Sequence, residues 1–172
     1  MTSANGARPD AGWPHDRPLK GLGPAEGSSE APLSAVVKLQ REGKIGHIGL
    51  SNVIPKQVQE ARAMTEVACV QNLYDPTHRQ DDALIDELAA AGIAYLPLFP
   101  FGGLLAASVF DPLRGRAQLG ATPMQVALAW LLRRAPNVLL VAGTSSIGHR
   151  REDFAAADLE LSDDTMKALD SM

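Results

Sequence analysis

The sequence has a single cysteine, few aromatic residues and no strong excess of either charge, and each shortage removes a class of protein. Cys69, alone in the apolar run Val67-Ala68-Cys69-Val70, cannot build a disulfide framework or a cysteine-rich metal site, and a reducing compartment suits it. With 16 Lys and Arg against 20 Asp and Glu, the chain carries no basic excess with which to track nucleic-acid phosphates. No stretch approaches the about 18 apolar residues of a membrane span, and the N-terminus has no apolar core of the signal-peptide kind. The expectation is a cytoplasmic protein that binds neither nucleic acid nor membrane. His15, His47, His78 and His149 are scattered, none at i, i+4 from another ligand type, and no Gly-x-Ser-x-Gly elbow occurs, so no metal and no hydrolase nucleophile is expected. His47, inside an expected strand, reads as a core histidine.

What is present is the texture of an α/β domain. A chain of 172 residues can bury a sizeable core, but a complete eight-unit α/β barrel takes roughly 250 residues. Residues 1–32 hold 5 Pro, 5 Gly and 3 Ser with little apolar character, and read as a loose, disordered leader. From residue 33 to 172 helical and strand patterns alternate. Leu33, Val36, Val37 and Gln40 lie at i, i+3, i+4, i+7, and Gly43 supplies a left-handed stop. A strand is expected over Ile45–Ser51, a helix opened by Pro55 at its first position, and a strand from Val67 to Gln71. Asp81 or Asp82 caps a third helix through Leu84, Ile85 and Leu88, and Gly92 ends it before the strand Ile93–Phe99. Pro97 costs that strand one ladder donor. After a long loop, Thr122-Pro123-Met124-Gln125 forms a capping box for a helix with Trp130 in its core. Val138–Ala142 is a fourth strand, followed by helices near Arg151 and after Ser162. Strands starting near 45, 67, 93 and 138, each followed by a helix, imply parallel pairing with right-handed crossovers.

In such an architecture ligands sit at the C-terminal ends of the strands. Those ends are Ser51-Asn52, Gln71-Asn72, Phe99-Pro100 and Gly143-Thr144-Ser145-Ser146. Amides and hydroxyls there suit a neutral hydrogen-bonding ligand, and equally suit ordinary turn chemistry. Gly143 to Ser146 runs into Gly148-His149-Arg150-Arg151 just before a helix, a setting for a phosphate or for a solvated basic helix start.

At Gly43-Lys44-Ile45-Gly46-His47-Ile48-Gly49-Leu50-Ser51-Asn52 the sequence resembles the aldo-keto reductase family. The likeness continues through Val70 to Tyr74, Gly92 to Tyr95, Thr122 to Leu132 and Gly143 to Ser146, and spans about residue 17 to the C-terminus. It implies a partial TIM (β/α)8 barrel of about four parallel βα units, similar to barrel strands five to eight. It further implies that Ser51, Asn52 and Gln71 bind the nicotinamide carboxamide, and that Gly143, Thr144 and Ser145 lie along the adenosine phosphate region. His149 takes the place of an arginine that binds the 2′-phosphate, and Glu152 and Asp153 approach the adenine. The cofactor implied is NADP, with NAD as the alternative, and the substrate a small carbonyl compound.

Departures from the family pattern accompany the likeness. Leu98 stands where many members stack a tyrosine on the nicotinamide, Ala142 replaces a proline, Arg150 a leucine and Asp153 an asparagine. Histidine in place of arginine at 149 gives up a permanent cation and a bidentate fork. The family's Asp, Tyr, Lys and His acid/base set belongs to the first half barrel, and only His15 offers itself for any of those places. The resemblance therefore implies an oxidoreductase that is truncated and catalytically impaired, with no assignable catalytic residue. The alternative from another class is a non-catalytic dinucleotide-binding or self-assembling module, whose open barrel edges invite association.

Overall fold

The computed structural model describes residues 27–98 and 120–171. The leader up to residue 26, with Trp13 and His15, the expected strand end at Phe99 and the loop from 100 to 119 lie outside the described residues.

The first helix, α1 (Glu30–Arg41), buries Leu33 and Val37 but leaves Val36 at its margin, so the inward stripe is narrower than the spacing suggests. Glu30 in its first turn and Lys38 and Arg41 in its last turn suit the helix dipole. Gly43 then turns the chain at φ 71°, a conformation that a residue with a Cβ adopts only at a cost. Strand β1 covers Ile48–Ser51, shorter than expected, because β2 (Val67–Leu73) first offers a pairing partner opposite Ile48. His47 therefore precedes the strand and is exposed, which corrects its assignment to the core. Helix α2 (Pro55–Met64) takes Pro55 at its first turn, and its Val58 and Ala61 are fully buried.

Helix α3 (Asp82–Ala90) leads through Gly92 to β3 (Ala94–Leu98). The three strands are parallel in the order β1-β2-β3, with Leu50, Val70 and Tyr95 forming one cross-strand row and Ser51, Gln71 and Leu96 the next. Side chains alternate across a sheet. The first row accordingly packs under the helices, with Val70 and Tyr95 wholly buried, while Ser51, Gln71 and Leu96 on the other face keep some exposure.

The expected fourth strand is reduced to one parallel bridge, Tyr95 with Val138. Tyr95 N–H donates to Asn137 O at 2.9 Å and Leu139 N–H donates to Tyr95 O at 2.9 Å. The next donor on that side of β3 falls at position 97, where proline has no N–H to give, so the ladder stops. Leu139 and Val141, expected to be buried on both faces, are 57% and 58% exposed.

Helix α4 (Pro123–Arg134) is the central packing element, with Val126 to Leu131 buried without a gap. Its capping box is as expected: Thr122 Oγ1 accepts from Gln125 N–H at 3.2 Å, and Gln125 Oε1 accepts from Thr122 N–H at 2.9 Å. Trp130 stacks on Tyr74 with centroids 5.7 Å apart, and Tyr74 meets Tyr95 edge-on at 5.8 Å. Helix α5 (Ile147–Ala155), a 3₁₀ turn (Ala156–Asp158) and α6 (Asp163–Asp170) follow, α6 capped by Ser162 Oγ.

Candidate functional site

Parallel pairing in this register carries Ser51 and Gln71 to the same level at the C-terminal ends of β1 and β2. Asn52 continues that ladder by donating its N–H to Gln71 O at 3.0 Å, and stands at φ 54° in the left-handed region. For an L-residue that conformation costs roughly 1–2 kcal/mol, least for asparagine and aspartate. Among the described residues no hydrogen bond engages the side chains of Ser51, Asn52 or Gln71. One hydroxyl and two amides are thus free to donate and to accept, the set that a neutral carboxamide needs.

Gly49, two residues before the tip, sits against Cys69, where an added Cβ would come within 2.6 Å of Sγ. The glycine lets β1 and β2 close up immediately behind Ser51 and Gln71.

The second group of candidates forms a separate stretch. Gly143, Thr144 and Ser145 are exposed beyond the single bridge. Turn chemistry is realised here: Thr144 Oγ1 accepts from Ser146 N–H at 3.1 Å, and Ser146 Oγ caps α5 by accepting from His149 N–H at 3.3 Å. His149, Arg150 and Arg151 are exposed near the start of α5, where two arginines and the helix N–H groups suit an anion. Glu152 is exposed and accepts at its backbone oxygen from Gln125 Nε2 at 3.2 Å, which ties α5 to α4, and Asp153 is half-buried. Among the described residues no hydrogen bond or strand pairing joins this stretch to Ser51, Asn52 and Gln71.

Sequence reasoning missed the polar network beneath the sheet. Asp81 stands at the N-cap of α3 but makes no side-chain cap, which corrects the capping expectation. Its Oδ2 instead accepts from Asn72 Nδ2 at 2.7 Å and from Tyr95 OH at 2.8 Å, with all three residues buried. The signal was parity: residue 72 follows Gln71, so it must face the helices. Beside it, Tyr74 OH donates to Asp82 Oδ1, and Arg134 Nε reaches both at 3.1 and 3.2 Å. Burial, and then the bond to Asp82, push the Tyr74 phenol up to about 12, and burial and Asp81 raise Tyr95 further. Burial works to raise the Asp82 carboxyl, but bonds from Tyr74, Arg79 and Arg134 outweigh it and hold the group low. These perturbed groups lie between β3, α3 and α4 rather than at the strand tips, so they hold structure. No trio of His, Cys, Asp or Glu among the described residues is arranged to hold a metal ion.

Comparison with known proteins supplies the family. The Aldo/keto reductase family pattern matches residues 7–172. Pyridoxine 4-dehydrogenase of Escherichia coli is 54% identical over 158 residues, covering 88% of this chain and 53% of that protein. An uncharacterized oxidoreductase of Schizosaccharomyces pombe is 33% identical, covering 80% of this chain and 45% of its own length. Among solved structures, a thermostable aldo-keto reductase in complex with the inhibitor epalrestat superposes with TM-score 0.71 at 31% identity, over 81% of this chain and 53% of that one. Aldose reductase from Giardia lamblia, at 24% identity and TM-score 0.70 over 81% of this chain and 48% of that one, shares the fold. The chain spans about half the length of the curated relatives it matches. With a parallel α/β sheet, uncommitted polar strand tips and a family match along nearly its whole length, the chain belongs to the aldo/keto reductase family.

Proposed function

We propose that this chain forms the nicotinamide-binding side of an NADP-dependent oxidoreductase that interconverts carbonyl compounds and alcohols, with residues 33–172 corresponding to the second half of the family barrel. The observation that carries the reading is the triad Ser51, Asn52 and Gln71, brought together at adjacent strand ends with their side-chain hydrogen-bonding capacity uncommitted. When bound, the dinucleotide supplies the hydride. The protein's part is orientation: a hydroxyl and two amides grip the carboxamide and so select the ring face offered to substrate. His149, Arg150 and Arg151 at the start of α5, with Gly143, Thr144 and Ser145 before them, suit the phosphates, and Glu152 and Asp153 the adenine edge. Arg150 and Arg151, the permanent cations of that stretch, favour NADP over NAD. The name of the Escherichia coli relative makes pyridoxine the first alcohol to try.

The 172-residue polypeptide by itself is proposed to be catalytically weak. Its two tyrosines, Tyr74 and Tyr95, are both fully buried and bound to carboxylates, so neither serves as an acid towards a substrate. Loss of general acid catalysis alone costs about 10²–10⁴-fold in rate. A second reading, a dinucleotide-binding module that closes by self-association in the cytoplasm, is favoured by the outer edge of β1, which pairs with no strand among the described residues, and by the face carrying Ser51, Gln71 and Leu96, which the described residues cover incompletely.

Fluorescence titration with NADPH tests the first reading. Saturable binding is expected, weakened about 3- to 10-fold by Gln71→Ala and again by Asn52→Ala, one hydrogen bond each. Binding unaffected by either change would remove the assignment. Turnover of pyridoxine or of simple aldehydes above background would contradict the impairment, and a monomer in size-exclusion chromatography would contradict self-association.

A further inference from the structure

The junction between β1 and α2 contains a device that cofactor contact alone does not explain. Asn52 is the one non-glycine residue at positive φ among the described residues, and three hydrogen bonds bracket it. Before it in the ladder, its own N–H is fixed to Gln71 O. After it, the Asn72 carboxamide takes both backbone groups of Val53: Val53 N–H donates to Oδ1 at 3.0 Å, and Nδ2 donates to Val53 O at 2.8 Å. A side chain here reproduces the paired exchange of a β-ladder at a point where β1 has already ended. The second Nδ2 hydrogen goes to Asp81 Oδ2, which Tyr95 OH also reaches. Asn72, Asp81, Tyr95 and Val53 are all buried, so every donor of the amide is used out of contact with water. Exchanging its oxygen and nitrogen would set donor against donor at Val53 and Asp81 against an acceptor, which fixes the orientation of the group.

We propose that Asn72 is a positioning residue for cofactor binding: through Val53, and braced by Asp81 and Tyr95, it holds Asn52 in the left-handed conformation that presents its amide to the nicotinamide. The inference rests on reading Ser51, Asn52 and Gln71 as the carboxamide contacts. Strained backbone persists only where neighbouring contacts over-determine it, and such over-determined positions gather at ligand clamps. Strand alternation divides the work between neighbours, since Gln71 faces the open side of the sheet and Asn72 the helices. Asn52 donates and accepts freely because Asn72, behind it, carries the structural load.

The test is a double-mutant cycle on the full chain, read by NADPH fluorescence titration. Asn72→Ala is expected to weaken NADPH about tenfold, the affinity equivalent of left-handed strain. In an Asn52→Gly background, which has neither the amide nor the strain, adding Asn72→Ala is expected to cost less than about twofold more. A residue that merely supports the fold would lower affinity by the same factor in both backgrounds. Hydrogen exchange supplies a readout independent of cofactor: the Asn52 and Val53 amides should exchange faster in Asn72→Ala, while Ile85, bonded to Asp81 O at 2.8 Å in α3, stays protected. Equal factors in the two backgrounds, or unchanged exchange at Asn52, whose N–H is bonded to Gln71 O and not to Asn72, overturn the proposal. Where Asn72→Ala does not fold, Tyr95→Phe, which removes one hydroxyl from the brace, carries the same cycle with the same criterion. A wild-type chain that takes up no NADPH refutes the cofactor reading, and exchange at Asn52 then decides the clamp by itself.

Discussion

Gly49 shows how closely two neighbouring strands depend on one missing side chain. Its hypothetical Cβ falls 2.6 Å from Cys69 Sγ and 3.4 Å from Cys69 O, on the face that ends at Ser51 and Gln71. Gly49→Ala is expected to destabilise the fold by about 1–3 kcal/mol, at the low end if the thiol turns to another rotamer. Adding Cys69→Ala should restore most of the loss, since the sulfur is the nearer obstacle. Urea denaturation midpoints of the three variants decide it, and a Gly49→Ala midpoint equal to wild type would mean that no clash exists. The same scale explains what could be read from sequence. The placing of Ser51, Asn52 and Gln71 at strand ends was legible because polar residues ending apolar runs carry their position in the pattern. Asn72 was not, because its role comes from Val53, Asp81 and Tyr95, partners 19, 9 and 23 positions away that only the fold brings together.

At the scale of elements, the helices were legible where local chemistry terminates them and the first three strands where short apolar runs separate the helical patterns. Thr122, Pro123 and Gln125 announce α4 by a cap that uses only neighbours, and the structure has that cap. Thr122→Ala is therefore expected to cost about 1 kcal/mol, read as a lower urea midpoint with an unchanged slope. A change of slope would show that the cap does more than start one helix. The segment from Val138 to Ala142 failed for a non-local reason. Its composition is that of a buried strand, but its pairing partner carries Pro97 where the next donor belongs. Hydrophobic runs reveal what a segment would bury, not whether the neighbouring backbone offers it a bond.

Across the whole molecule, the sheet and the C-terminal helices meet at one aromatic and ionic junction. Tyr74 follows β2, Tyr95 lies on β3, and Trp130 of α4 stacks on Tyr74 while its Nε1 donates to Asp170 Oδ1 of α6 at 2.9 Å. Arg79 lies 5.4 Å over the Trp130 ring and pairs with Asp82 and Asp170, and Arg134 bonds Tyr74, Asp82 and Asp86. The bond from Tyr74 to Asp82 needs a protonated phenol, since a phenolate would face the Asp82 carboxylate at 2.5 Å. The folded chain holds the Tyr74 proton up to about 12, whereas the unfolded chain releases it near the ordinary value of 10.0. Below about pH 10 both states are protonated and this contribution is fully present. As pH rises from there through about 12, the unfolded state binds fewer protons than the native one, and stability falls. Tyr95, raised in the same direction by burial and Asp81, extends the decline to higher pH. Urea midpoints should thus be flat from about pH 8 to 10 and drop above it, and Tyr74→Phe should make that drop shallower between about pH 10 and 12, leaving the part due to Tyr95, while lowering stability at neutral pH through the lost bond to Asp82. A midpoint that stays constant through pH 12, or a drop of the same steepness in Tyr74→Phe, would mean that the junction does not depend on the phenol, and that packing of Trp130 against the sheet carries the union of the two parts.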